Sequence, residues 1–253
     1  MYSSRVLVAM AGAAAALLTS SALGRADTTG GQLVYSFSYG SQQNITARDS
    51  SDNAESVSGG GLGGTNNGIS HYQGSLSDKG TMTVQIERKQ SDGGLIVSIS
   101  EAGENTRRAP AATCVVYGNT SVICDPNKTV YPEEYTLLRF LGTNFVDPSQ
   151  LDANRHWAIS QPSGGGDSVT ASYTINSNNN GAMQISESRT IRPANKSSVE
   201  TDINTKIGYD FTRTVPTTID EYSTQRQENG TTGSTKTIYQ TTLNLVSDTM
   251  AKT

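Results

Sequence analysis

The chain has 253 residues, of which 34% are hydrophobic and 17% charged, and its formal net charge is −4. Without a basic excess the chain lacks the charge that neutralises phosphates, which disfavours nucleic-acid binding and adhesion to an anionic lipid surface. The chain has two cysteines and two histidines, which leaves few side chains that could serve as thiolate or imidazole metal ligands.

The first 26 residues have the three parts of a secretory signal peptide. Arg5 gives a positive start, residues 6–18 are apolar or small, and Gly24 and Ala26 suit the positions before a cleavage site. The apolar part is too short for a bilayer, which needs roughly 20 residues, and no later segment is long enough. We therefore expect residues 27–253 to form a single β-rich domain, exported to the periplasm or the extracellular space. The alanine-rich leader is typical of bacteria, and no nearby cysteine offers a lipid anchor.

In the first half of the mature chain, apolar and polar residues alternate in three segments. These segments, 32–39, 80–88 and 94–100, are predicted to be strands with one buried face. Residues 91–94 read Ser-Asp-Gly-Gly and predict a turn between the last two. Residues 50–68 are rich in Gly, Ser and Asn, a composition that predicts a flexible loop.

The two cysteines are predicted to form a disulfide across a hairpin. β-branched residues flank a Gly-Asn turn signal between Cys114 and Cys124. Pairing Tyr117 with Ser121 across a three-residue loop places the two cysteines directly opposite each other. Because nine residues separate them, the spacing differs from that of redox-active C-x-x-C pairs, which favours a structural disulfide.

One α-helix is predicted around residues 132–141. Pro132 suits the first helical position, Glu133 and Glu134 suit the first turn, and Gly142 lies just past the end. Its apolar stripe would consist of Tyr135, Leu137, Leu138 and Leu141. A second, shorter turn is expected at 147–149.

The second half of the chain alternates in the same way at 168–176, 182–192, 218–227 and 235–247. Residues 176–181 are predicted to join the first two of these strands. In residues 199–215 apolar and polar side chains alternate, and as one extended strand this segment would span about 56 Å. A domain of this length has a radius of gyration of only about 17 Å. The long strand is therefore expected to bend or break at Gly208 and to end at Pro216.

Together these elements predict a mainly β fold. We expect an antiparallel sheet, either curved like a half-barrel or arranged as a sandwich, with one inserted helix around 132–141. The layout resembles that of exported half-barrel carriers of lipids and lipoproteins, at the level of layout only. No shared motif assigns the chain to a family.

Signals for catalysis and for metals are weak. Asp147, Asp152 and His156 are the candidates for a hydrolytic site, but no nucleophile motif accompanies them. The acidic residues of segment 49–55 lack the spacing of a calcium loop. The sequence therefore predicts no cofactor and no metal site, and it favours a non-catalytic role.

Three functions are compatible with these observations. The first is an exported protein that binds an apolar or amphipathic ligand, such as a hydrophobic small molecule or a lipid, between sheet and helix. Its candidate ligand-binding residues are Tyr35, Phe37, Leu138, Leu141, Tyr209 and Phe211. The second is a surface or extracellular interaction module that uses the polar Thr- and Asn-rich strand faces, and the third is a secreted hydrolase.

Overall fold

A computed structural model describes residues 30–48, 69–105, 108–142, 145–146, 155–162, 168–194, 199–228 and 233–250. Within these residues the chain forms eleven strands and one helix. The strands are β1 (Gln32–Arg48), β2 (Ile69–Lys89), β3 (Leu95–Gly103), β4 (Arg108–Val116), β5 (Val122–Cys124), β6 (His156–Pro162), β7 (Ser168–Asn179), β8 (Ala182–Arg192), β9 (Glu200–Asp210), β10 (Val215–Glu228) and β11 (Gly233–Asp248), and the helix α1 is Pro132–Leu138. The predicted signal peptide and the loop at 50–68 lie outside the described residues.

All eleven strands belong to one antiparallel sheet, in the order β5-β4-β3-β2-β1-β11-β10-β9-β8-β7-β6. Except for β5 and β6, strands that follow each other in the chain are neighbours, and at the centre of the sheet the first strand pairs with the last, from Leu33 to Ala47. The edges are β5 and β6, and residues 125–155 connect them. The predicted antiparallel β fold with one inserted helix is confirmed, as a single open sheet and not a two-sheet sandwich.

The sheet is strongly curved, with one concave side. Eight strand-to-strand steps separate β5 from β8, which would be about 38 Å in a flat sheet at roughly 4.8 Å a step. Yet the side chain of Arg189, on β8, donates a hydrogen bond of 3.0 Å to the Thr120 hydroxyl in the β4–β5 loop. Only a curved sheet brings these two groups together.

The concave side of the sheet, here called the inner face, carries the core. Alternate residues of each strand point to it, such as Leu33 and Tyr35 on β1 and Ile207 and Tyr209 on β9, and all four are buried. They belong to one continuous apolar cluster that includes residues of the helix. The period-two pattern that predicted the strands therefore assigns these side chains to the buried face.

Helix α1 packs on the inner face. It begins at Pro132, and the Glu134 carboxylate caps it by accepting a hydrogen bond from the Tyr131 N–H at 2.9 Å. It ends at Leu138, a few residues before the predicted end. There the Phe140 N–H donates to the carbonyl three residues back, so the last turn tightens.

The predicted apolar stripe of the helix is partly wrong. Leu137, Leu138 and Leu141 are buried as expected, but Tyr135 is 42% exposed. Glu133, in the first turn, is fully buried instead. The reason is that the helix lies with its first turn inside the curled sheet, where the surface pattern of an amphipathic helix does not apply.

The disulfide hairpin is confirmed. Cys114 on β4 lies directly opposite Cys124 on β5, and the two form a disulfide. The Tyr117 N–H donates to the Ser121 carbonyl at 3.0 Å, which is the expected closing pair. The turn places Thr120 at φ +66°, a left-handed conformation that lets three residues close the loop.

Two strands are longer than the sequence predicts. β1 continues past residue 39 to Arg48, and β2 begins at Ile69, not at residue 80. The two strands pair in one unbroken register. Alternation fails in these extensions because inner-face positions such as Ser41 and Gln43 are polar. Cross-strand hydrogen bonding continues there without an apolar pattern.

Segment 199–215 breaks as expected, but not at the predicted residue. β9 ends at Asp210, a turn at 211–214 follows, and β10 then begins. The Asp210 carboxylate fixes this turn by accepting hydrogen bonds from the Arg213 backbone at 3.0 Å and its side chain at 2.7 Å. Gly208 stays within β9, and Pro216 lies inside β10 at a register shift, where a missing N–H is tolerated.

The predicted connection at 176–181 is shorter in the structure. β7 runs on to Asn179, and the turn consists only of Asn180 and Gly181, at φ +52° and +91°. Positive φ at both central residues defines a type I′ turn, which matches the twist of a tight hairpin. The extra strand residues are polar, so alternation did not reveal them.

Replacing the disulfide tests its structural role. Cys114→Ala/Cys124→Ala should lower the free energy of unfolding by roughly 3 kcal/mol, because the unfolded chain regains the entropy of a short closed loop. Urea denaturation followed by tryptophan fluorescence measures this. A reducing agent should lower the stability of the natural chain by a similar amount and leave the variant unchanged; equal sensitivity of both proteins would contradict the prediction.

Candidate functional site

A row of buried polar side chains crosses the inner face at one level of the sheet. The strand register places the members of this row opposite one another. We call the row the polar row, and it consists of Trp157, Tyr173, Glu187, Thr205, Glu221, Thr241, Tyr39 and Asp78. One pleat away lies the apolar row: Ile175, Ile185, Ile207, Ile219, Leu243 and Phe37. The inner face is therefore amphipathic along the strand direction.

Arg139, just after the helix, lies at the middle of the polar row and is 1% exposed. One guanidinium nitrogen contacts both carboxylate oxygens of Glu187, at 2.8 and 3.0 Å, and the other contacts the carboxylate of Glu221. The Thr136 hydroxyl, on the helix, donates to Glu221 at 2.9 Å. The helix is thus tied to two strands, β8 and β10, through charged groups.

Further donors on the sheet satisfy the Glu187 carboxylate. The Tyr173 hydroxyl donates to it at 2.9 Å and the Thr205 hydroxyl at 2.7 Å. Arg189 lies 3.7 Å away and donates its own hydrogen bond to Thr120. The network therefore joins the helix, the four neighbouring strands β7 to β10 and the disulfide hairpin.

The ionisation of these groups follows from their pairing. Burial alone would raise the pKa of Glu187, but Arg139 and Arg189, together with the Thr205 hydroxyl, hold it below its ordinary value. Burial disfavours the charged guanidinium, yet Glu187 and Glu221 raise the pKa of Arg139. Burial, and then the neighbouring Glu187 carboxylate, raise the pKa of Tyr173, which stays a hydrogen-bond donor.

Apolar side chains after the helix fill the space above the sheet. We call residues 131–142 together with Phe145 and Val146 the helical segment. Phe145 makes edge-to-face contacts with Phe140, Tyr173 and Tyr209, with ring centroids 5.2 to 5.4 Å apart. Such contacts add to the stabilisation from buried area. The helical segment therefore serves as the inner layer of the fold.

The six candidate ligand-binding residues lie together in this interior. Tyr35, Phe37, Leu138, Leu141 and Tyr209 belong to the continuous core, and Phe211 packs against it, half-buried. The Tyr35 hydroxyl donates to the Pro216 carbonyl at 2.7 Å, and burial raises its pKa. The side chains of the helical segment occupy the space beside them, so their assignment to a ligand remains a prediction.

Of the other candidates, the structure describes one. His156 lies exposed at the start of β6, and Asp147 and Asp152 lie outside the described residues. No group of three His, Cys, Asp or Glu side chains in the described part of the chain could hold a metal. An open depression of about 380 Å³ lies on the outer face, and its lining includes Asn204, Lys206, Asp220, Tyr222 and Gln240.

Sequence reasoning missed the charged members of the network. None of Arg139, Glu187 and Glu221 is among the candidate residues predicted from the sequence. A signal did exist, because Glu187 and Arg189 fall on the same parity as the buried Met183 and Ile185 of their strand. Charges at inward-facing positions indicate a buried ion pair.

The described residues thus define an open antiparallel sheet that curls around one short helix and encloses a network of buried ion pairs. No family model matches the sequence, and no curated protein is significantly similar to it. One similar solved structure is that of lipovitellin, determined to describe lipid–protein interactions in that protein. The similarity covers 90% of this chain and 26% of the lipovitellin chain, with a TM-score of 0.46 and 8% identity. None of the described helices is long and apolar enough to cross a bilayer.

Removing the central cation should be strongly destabilising. Arg139→Met leaves Glu187 and Glu221 buried without their main partner, which should lower the free energy of unfolding by about 3–5 kcal/mol. Urea denaturation at neutral pH measures the loss. Arg192→Met is a matched control, because Arg192 pairs with Glu200 and Asp202 at a side-chain exposure of 47%. Exposed pairs contribute about 0–1 kcal/mol, so equal losses in both variants would contradict a central role for Arg139.

The lowered pKa of Glu187 predicts a pH dependence. Because this group has a lower pKa folded than unfolded, its stabilisation is fully present above the unfolded value of about 4.3 and is lost as pH falls through the folded pKa. The difference in unfolding free energy between the natural chain and Glu187→Gln should be constant above about pH 5.5 and shrink below about pH 4. Urea denaturation over a pH series checks this, and a difference that does not vary with pH would count against it.

Proposed function

We propose that this chain is an exported, non-catalytic binding protein that holds an amphipathic molecule, such as a lipid, on the inner face of its sheet. The observation that carries this proposal is the placement of the apolar row directly beside the polar row on one concave surface. A core built for stability alone gains little from buried charges, since their desolvation offsets their attraction. An amphipathic molecule needs both environments, one for its tail and one for its head group.

The helical segment is the part of the protein that such a molecule would displace. Helix α1 has seven residues, and isolated helices shorter than roughly 12 residues are marginal in water. Its order therefore depends on contacts with the sheet. A ligand tail that occupies the places of Leu138, Phe140 and Phe145 would replace those contacts while the sheet itself stays paired.

The inner face also offers a route of entry. Beyond the polar row, Leu76 on β2 points to the inner side and is 57% exposed. Its neighbours across the strands are Ser41 and then the half-buried Tyr239, whose ring lies 6.2 Å from that of Tyr39. Exposed apolar side chains on a concave surface support entry from this end of the sheet.

Export is supported by the signal-peptide pattern of the first 26 residues and by the disulfide, because disulfides persist in oxidising compartments. The periplasm and the extracellular space both satisfy this condition. The interaction-module alternative would use the open outer-face depression around Tyr222, whose lining includes Asn204, Lys206 and Asp220. The hydrolase alternative rests on His156, which is exposed, and on Asp147 and Asp152, which lie outside the described residues.

Native mass spectrometry of the protein purified from its own host should detect a bound apolar or amphipathic molecule. After this molecule is removed, adding it back should raise amide hydrogen exchange in residues 131–142, because the ligand displaces them, and leave β1 and β11 protected. In Phe145→Ala the helical segment packs less well, so the ligand should bind on the order of tenfold more tightly.

Tyr222→Ala is the control, because it removes an aromatic ring from the outer face only. It should leave the affinity unchanged. The proposal would be contradicted if Tyr222→Ala lost binding and the ligand did not change the exchange of residues 131–142. That result would place the binding site on the outer face.

A further inference from the structure

The sheet and the helical segment contribute different charges to the network. Glu187 and Glu221 come from the sheet, as does Arg189, whereas Arg139 comes from the helical segment. With the segment in place, two carboxylates face two guanidinium groups. Once the segment is displaced, the inner face keeps both carboxylates and only one of the cations.

The remaining cation cannot serve both carboxylates. Arg189 lies 3.7 Å from Glu187, and its guanidinium also donates to Thr120. Glu221 makes its ion pair with Arg139 and accepts a hydrogen bond from Thr136, so departure of the segment removes both. The Thr205 hydroxyl, at 3.3 Å, is then its remaining neutral donor in the network. A buried carboxylate without a cation is strongly unfavourable.

A third acidic residue of the polar row independently indicates a ligand that donates hydrogen bonds. Asp78 is 4% exposed and faces the inner side beside Tyr39. One of its carboxylate oxygens accepts the N–H groups of Lys79 and Asn105, at 2.8 and 3.1 Å. The other oxygen, Oδ2, is buried and accepts no hydrogen bond within the described part of the chain. Buried acceptors of this kind are uncommon in native proteins and call for a partner.

We propose that the head group of the bound amphipathic molecule is cationic, an amine or a guanidinium that takes the place of the Arg139 side chain between Glu187 and Glu221. This inference rests on the proposed function. A cationic head group replaces the cation that Glu187 and Glu221 lose with the departing segment. A neutral one leaves Glu221 without a cation, and an anionic one adds a negative charge beside Glu187 and Glu221.

A series of ligands with one tail and three head groups tests the charge. Dodecylamine, dodecanol and dodecanoate are titrated into the natural protein at neutral pH, below their micelle-forming concentrations, and affinity is read by displacement of a neutral naphthylamine fluorophore. The amine should bind at least about tenfold more tightly than dodecanoate, with dodecanol between them.

Two matched variants separate the site from the overall negative charge of the protein. Glu221→Gln removes a carboxylate from the inner face, and Asp220→Asn removes one from the exposed outer face of the same strand. Only Glu221→Gln should reduce the preference for the amine over dodecanoate, by on the order of tenfold. Circular dichroism establishes that each variant is folded, and the ligand series on the natural protein decides the question if Glu221→Gln is not.

The outcomes distinguish the two proposals. Equal affinity for all three ligands, or tighter binding of dodecanoate, overturns the cationic head group and leaves an amphipathic ligand in place. No binding of any of the three overturns both proposals. An amine preference that Asp220→Asn reduces as much as Glu221→Gln also overturns the inference, since it assigns the preference to the net charge of the protein.

Discussion

The guanidinium of Arg139, buried between two carboxylates of the sheet, joins the helix to the strands that surround it. Helix α1 is too short to be stable alone, so its place on the inner face depends on this ion-pair network and on the apolar contacts of Phe145. The curl of the sheet depends on the same region. Arg189 connects Glu187 to Thr120 in the disulfide hairpin, across eight steps of the strand order. One network of charges therefore fixes both the inner layer and the curvature.

Buried ion pairs are a costly way to hold a helix. Well-packed apolar residues of similar volume often stabilise a protein as much or more, because no charge has to leave water. An apolar anchor, however, would leave a uniformly apolar inner face once the helical segment moved away. With Arg139 as the anchor, the proposed displacement of the helical segment would expose the Glu187 and Glu221 carboxylates. These carboxylates would then favour a cationic group in the place of the Arg139 side chain. This difference connects the energetics of the fold to the proposed binding of a charged amphipathic ligand.

Much of the fold could be predicted because alternation is a direct consequence of one-sided burial. It identified the strands wherever the inner face is apolar, and the turn residues placed the hairpin of Cys114 and Cys124 in its observed register. Alternation failed in the outer halves of β1 and β2, where the inner face is polar and hydrogen bonding alone extends the strands. The alternation pattern also did not identify the candidate site. The inward charges Glu187 and Glu221 were overlooked because acids on strands usually face water, and only the register shows that they face Arg139.

The sheet order is compatible with the proposed displacement of the helical segment. Residues 125–155 leave the sheet at β5 and return at β6, which are its two edges, so no central strand pair depends on them. β5 has only three residues and would be the weakest pairing of the sheet. The disulfide between Cys114 and Cys124 fixes it to β4 where the chain departs, so displacement of the segment is not transmitted to the strands. At the centre, the long pairing of β1 with β11 keeps the two halves of the sheet together, which leaves the inner face in place for a ligand.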